Sequence, residues 1–120
     1  MRPDSNGVEP AEIWKARRFI EQNSGEEISL PEVAKAVNAS PTHLSEKFKQ
    51  VTGVKFVDYV ARTRFEKASV LLEDADVRIS EIAFAVGFQS LSQFNRVFKK
   101  LAGKSPTAYR ALHFRPKTRS

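Results

Sequence analysis

Ser92, Gln93, Asn95, Arg96, Lys99 and Lys100 fall within the segment GFQSLSQFNRVFKKLAG that runs from Gly87 to Gly103. An arginine fork can donate two parallel hydrogen bonds to O6 and N7 of guanine, and a glutamine or asparagine amide can pair with N6 and N7 of adenine. Lysines are point charges better suited to phosphate oxygens, contacts that position a protein without reading sequence. Each of these residues taken singly is more simply a solvated surface position. Their concentration on one short segment favours a face that reads a polyanion.

Catalytic chemistry is poorly supported. The two histidines, His43 and His113, belong to no HExxH pattern, and neither GxSxG nor GxxxxGK occurs. Glu73, Asp74 and Asp76 form an acidic group, but carboxylates at a helix end before a loop are ordinarily solvated. No metal site and no cofactor is expected, and the absence of cysteine excludes a disulfide framework, a thiolate nucleophile and cysteine-ligated zinc.

The charge is asymmetric. The chain carries net +6, yet residues 1–53 hold 7 basic and 8 acidic side chains, whereas residues 54–120 hold 13 and 6. After Glu81 there is no carboxylate side chain against eight Lys or Arg. Such a balance fits nucleic acid or an anionic membrane face, and equally a soluble basic surface with a basic tail. No apolar run is long enough for a membrane span and MRPDSNGVEP lacks the apolar segment of a signal peptide, so the chain reads as cytoplasmic with no membrane partner.

The elements that must position these residues come from an internal repeat. At an offset of 49, Glu32, Ala34, Ala36 and Val37 meet Glu81, Ala83, Ala85 and Val86; at an offset of 50, Ser40, Phe48, Lys49, Gly53 and Tyr59 meet Ser90, Phe98, Lys99, Gly103 and Tyr109. One extra residue near Phe88 to Ser90 accounts for the change. In each copy the apolar residues recur at helical spacing, as in Ile79, Ile82, Ala83, Val86 and in Phe94, Val97, Phe98, Leu101. Ser29-Leu-Pro-Glu32 and Ser90-Leu-Ser-Gln93 have the form of capping boxes, Ser40-Pro41 and Ser105-Pro106 that of a cap before a first-turn proline, and Gly53 and Gly103 suit left-handed stops. Asn38 and Gly87 stand at the turn between paired helices, so each copy has the pattern of a helix-turn-helix.

The spacing predicts an all-α fold of about seven helices: two helix-turn-helix subdomains, 11–53 and 75–112, joined by a connecting helix over 54–74. Residues 1–10 read as an N-terminal tail or linker and 113–120 as a basic C-terminal tail. A first helix from about Pro10 to Asn23 buries Ile13, Ala16 and Ile20, with Trp14 and Phe19 widening that face. On the connecting helix, Val57, Val60, Ala61, Ala68, Leu71 and Leu72 form the apolar pattern. Trp14, Phe65, Phe84 and Phe88 are expected to pack rather than to stack on bases.

These residues resemble the AraC-type bacterial transcription regulators over about 11–112. The resemblance rests on LPEVAKAVNASPTHLSEKFKQVTG, on RTRFEKASVLL, and above all on ISEIAFAVGFQSLSQFNRVFKKLAGKSPTAYR with its ordered Gly-Phe, Phe-x-Arg-x-Phe-Lys-Lys and Ser-Pro-x-x-Tyr-Arg. It implies a monomer-like unit that places two recognition helices, about 41–51 and 91–101, in successive major grooves of asymmetric promoter DNA. RNA polymerase is the further partner implied. A separate effector-sensing or dimerising domain, present in many members, is not expected within these 120 residues.

The outward residues of the second recognition helix then divide into base readers, Ser92, Gln93, Asn95 and Arg96, and phosphate candidates, Ser90, Lys99 and Lys100. In the first helix Thr42, His43, Ser45 and Glu46 are the corresponding readers and Lys49 a phosphate candidate. Many family members place larger or basic residues where Thr42 and Glu46 stand here, so the second motif should contribute more binding energy and the first more selectivity. Arg62 and Arg64 on the connecting helix are phosphate candidates, pairing of Arg64 with Asp58 or Glu66 being the alternative. The rival to sequence-specific DNA binding is a basic helical adaptor that binds acidic proteins or membranes without sequence readout.

Overall fold

The computed structural model describes residues 9–114, and the remainder of both tails lies outside the described residues. Seven helices follow one another: α1 (Ala11–Asn23), α2 (Leu30–Ala36), α3 (Pro41–Thr52), α4 (Phe56–Leu72), α5 (Ile79–Ala85), α6 (Leu91–Ala102) and α7 (Pro106–His113). No β-strand occurs among the described residues. The chain divides into two compact units between Val60 and Ala61, inside α4.

Local chemistry explains the helix ends. Ser40 Oγ accepts from the His43 N–H at 3.1 Å, Ser90 Oγ from the Gln93 N–H at 3.0 Å and Ser105 Oγ from the Ala108 N–H at 3.1 Å. Each satisfies one of the donors that a helix start leaves without a partner. Both α3 and α6 stop at a glycine with φ of 80°, whose N–H returns to the carbonyl of Lys49 or Lys99 at 2.8 Å. An added Cβ would meet nothing within 4 Å at Gly53 or Gly103, so the requirement there is the left-handed backbone itself.

In the first unit, Ile13, Ala16 and Ile20 of α1 close over Val33, Ala34, Leu44, Phe48, Phe56 and Val60. Phe48 lies at the centre, meeting the Phe56 ring at 6.0 Å and the Tyr59 ring at 5.1 Å, both edge to face. Truncation of a buried ring of this kind costs about 3–5 kcal/mol. The Tyr59 hydroxyl accepts from Arg17 Nε at 3.0 Å, and Arg17 Nη1 donates to both Glu9 oxygens at 2.9 Å. Tyr59 first, and Glu9 second, hold this guanidinium above its ordinary range.

The second unit repeats the plan with Ala68, Leu72, Ile82, Ala83, Val86, Phe88, Phe94 and Phe98. Tyr109 meets Phe98 edge to face at 5.2 Å, fifty positions on from the Tyr59–Phe48 pair. What replaces α1 is the second half of α4: Phe65, Ala68 and Leu72 carry the packing that Ile13, Ala16 and Ile20 carry in the first unit. One helix thus ends the first unit and begins the second.

Four expectations need correction. The connecting helix is 17 residues, Phe56–Leu72, because Thr52 Oγ1 accepts from the Val54 N–H and holds 53–55 in a turn. On it, Val57 and Leu71 are exposed, while Phe56, absent from the expected pattern, is buried. Trp14 and Phe84 are half exposed, at 50% and 54%, so of the four aromatics expected to pack only Phe65 and Phe88 do. Trp14 instead carries the Arg18 guanidinium over its ring at 5.1 Å. Leu101 is likewise more exposed than its place in the apolar stripe implies.

Candidate nucleic-acid interface

The two helix-turn-helix motifs are built from the same parts. Helices α2 (Leu30–Ala36) and α5 (Ile79–Ala85) come first, and the chain then turns through Asn38 at φ 62° or Gly87 at φ 110°. The Ala39 N–H reaches back to the Ala34 carbonyl at 2.9 Å, and the Phe88 N–H to the Ala83 carbonyl at 3.0 Å. Both pairs are related by 49 positions, whereas the caps Ser40 and Ser90 are related by 50. The extra residue is therefore Gln89.

Gln89 also explains a departure from the expected capping box. The Gln93 side chain accepts through Oε1 from the Gln89 N–H at 3.0 Å, one residue before the cap. One lone pair of its amide oxygen is thus engaged by the turn, which fixes the orientation of the amide and leaves the second lone pair for another donor. Both Nε2 hydrogens are left as donors.

Around it, Ser92, Asn95, Arg96, Lys99 and Lys100 are exposed on α6, with Phe94 and Phe98 buried behind them. Three and four residues separate Ser92, Asn95, Arg96 and Lys99, so they share one face of the helix. Ser90 accepts at the cap, and its hydroxyl proton can still be offered to an oxygen. The last turn carries Lys99 and Lys100, favourable partners of the negative helix end.

On α3, Thr42, His43, Glu46, Lys49 and Gln50 are exposed and Ser45 is half-buried, over a buried Leu44 and Phe48. His43 is not detached from its own unit. Its Nε2 lies 2.9 Å from Glu12 Oε2 on α1. Position 43 of the first motif and position 93 of the second are equivalent, each three residues after its cap, and each is tethered inward by a different partner.

The helix α4 candidates divide. Arg62 is exposed, whereas Arg64 is half-buried and its burial pulls the guanidinium below its ordinary range, although an arginine remains charged at neutral pH. Sequence reasoning missed Glu12, 31 positions from His43, and Arg110. Counted among the basic surface, Arg110 instead donates through Nε to the Leu72 carbonyl at 3.0 Å, and through Nη2 to those of Asp74 at 2.9 Å and Val77 at 2.6 Å. It fastens the α4–α5 loop. Within that loop Asp74 Oδ1 accepts from the Asp76 N–H at 2.9 Å, a turn contact for one member of the acidic group. No helix among the described residues is long and apolar enough to cross a membrane.

A family model described as a helix-turn-helix domain matches residues 33–112. The fold is similar to the C-terminal domain of AraT, a response regulator from Geobacillus stearothermophilus, at 32% identity and a TM-score of 0.86 over 92% of this chain and 93% of that one. It is also similar to a transcriptional regulator of the AraC-type DNA-binding domain-containing proteins from Chromobacterium violaceum, at 27% identity and a TM-score of 0.80 over 88% and 95% of the two chains. Among curated relatives, the HTH-type transcriptional regulator YijO of Escherichia coli (strain K12) is 34% identical over 94 residues, 78% of this chain and 33% of that protein. The chain spans between 12% and 38% of the length of the curated relatives it matches.

Proposed function

The chain belongs to the AraC-type helix-turn-helix family of transcription-regulator DNA-binding domains, which is not an enzyme family, and from that membership we propose that it regulates transcription by binding a selected double-stranded promoter sequence. In this reading α3 and α6 each enter a major groove, in successive grooves of one asymmetric site. Arg96 and Asn95 read base edges from α6, with Ser92 and the Gln93 amide nitrogen beside them. Thr42, His43, Ser45 and Glu46 read from α3. Lys49, Lys99, Lys100, Ser90 and Arg62 bind phosphates, and Arg64 is the weaker candidate because it is half-buried. The domain binds as a monomer, meets RNA polymerase at the promoter and acts in the cytoplasm.

One observation carries the reading: the same cap, turn, glycine stop and aromatic lock are built twice, while the exposed residues on the two equivalent helices differ. A scaffold repeated for support alone has no need of a different polar face on each copy. A basic adaptor accounts for the charge but not for the amides and the arginine on α6.

The test is selection of bound duplexes from a random library at two salt concentrations. Enrichment of an asymmetric motif of roughly 20 base pairs with two specified segments about one helical turn apart is expected. Salt-sensitive binding without enrichment would instead establish the adaptor.

A further inference from the structure

We propose that Glu12, on the first helix and outside both helix-turn-helix motifs, is a positioning residue that orients His43 for base reading. The inference rests on the reading of α3 as a major-groove helix. Glu12 precedes Ile13, and Ile13 and Ala16 are fully buried, so the carboxylate is presented from a fixed piece of backbone. Its Oε2 lies 2.9 Å from His43 Nε2, and the imidazole remains about half exposed.

A carboxylate offers only acceptors, so Nε2 carries the hydrogen in this contact. In the neutral ring the hydrogen-bonding atom left over is Nδ1, and it is an acceptor. An acceptor fits the exocyclic amines, N4 of cytosine or N6 of adenine, and is mismatched to the O6 and N7 of guanine or the O4 of thymine. Glu12 therefore selects the tautomer as well as the rotamer, and through them the class of base that His43 accepts. An exposed hydrogen bond contributes little net stability, so orientation rather than folding is the role that fits this contact.

The second motif supports the same logic from a different direction. Gln93 occupies the place equivalent to His43, and it too is held by a contact within its own unit, from the Gln89 N–H at 3.0 Å. In both copies the third residue after the cap is oriented before any partner arrives.

The experiment measures binding of the wild-type chain, Glu12→Ala, Glu12→Gln, His43→Ala and the Glu12→Ala/His43→Ala double variant. The probes are the duplex selected by the wild type and its single-base-pair variants. Preference for adenine or cytosine at the base pair that His43→Ala affects should fall about two- to fivefold in Glu12→Ala, the scale of one exposed hydrogen bond, with the melting temperature and the preference elsewhere unchanged. Glu12→Gln, whose amide oxygen still accepts from Nε2, should keep the preference, and the double variant should match His43→Ala alone. A Glu12→Ala variant with the wild-type profile, or one weakened equally on every duplex, overturns the proposal while leaving sequence-specific binding in place. The same holds if His43→Ala changes no preference. A wild type that enriches no sequence removes the parent reading and this inference with it.

Discussion

Arg96 and Glu46 occupy the same place on the two recognition helices, six residues beyond the caps Ser90 and Ser40, and both are exposed. A fork of donors stands in one motif where the other has acceptors only. The two halves of the bound site should therefore differ in base identity, and substitutions at these two positions should separate reading from grip.

Arg96→Ala should relax preference at one or two base pairs and weaken binding to the preferred duplex by about 1–3 kcal/mol. Competition titrations against single-base-pair variants check this. An equal loss on every duplex would show that Arg96 contacts phosphate rather than a base.

Glu46→Gln removes a negative charge from the exposed face of α3 and keeps the shape. Binding to all duplexes should tighten, with the steeper salt dependence that less repulsion brings, while preference for cytosine at one base pair of the first half-site weakens. Unchanged affinity at low salt would place Glu46 away from the DNA.

Lys99→Ala should lower affinity alike for preferred and scrambled duplexes and reduce the slope of log K against log salt by about one unit. A loss confined to one base identity would contradict its assignment to phosphate.

Arg110→Lys retains the charge but replaces a fork that reaches three carbonyls with a single ammonium. Denaturant unfolding should show a loss of about 1–3 kcal/mol, the worth of charge-assisted hydrogen bonds. The base-preference profile should stay as in the wild type. A variant as stable as the wild type with weaker DNA binding would return Arg110 to the basic surface.

Legibility from sequence followed the range of the interactions. Ser40, Ser90, Ser105, Gly53 and Gly103 act within four residues of themselves, so residue type and spacing specify their hydrogen bonds. The same holds for the outward faces of α3 and α6, because a buried Phe48 or Phe98 dictates which neighbours point away. Contacts that close across the fold carry no such periodic signal. Glu12 with His43 and Arg110 with the carbonyls of Leu72, Asp74 and Val77 join residues 31 to 38 positions apart, and Glu12 or Arg110 alone reads as an ordinary surface charge. Trp14 and Phe84 depart from expectation for a related reason: hydrophobicity reports a preference for burial, while tertiary packing decides whether another element covers the side chain, and both stay half exposed.

The inward tethers make α3 and α6 poor interchangeable cassettes. Grafting residues 41–52 in place of 91–102 brings His43 without its Glu12 and removes Gln93 from the Gln89 N–H it accepts from. The reverse graft carries Gln93 into a turn that is one residue shorter. Exchange of whole helices therefore transfers each of these side chains without the contact that orients it, and a portable unit has to include Glu12 in one case and Gln89 in the other.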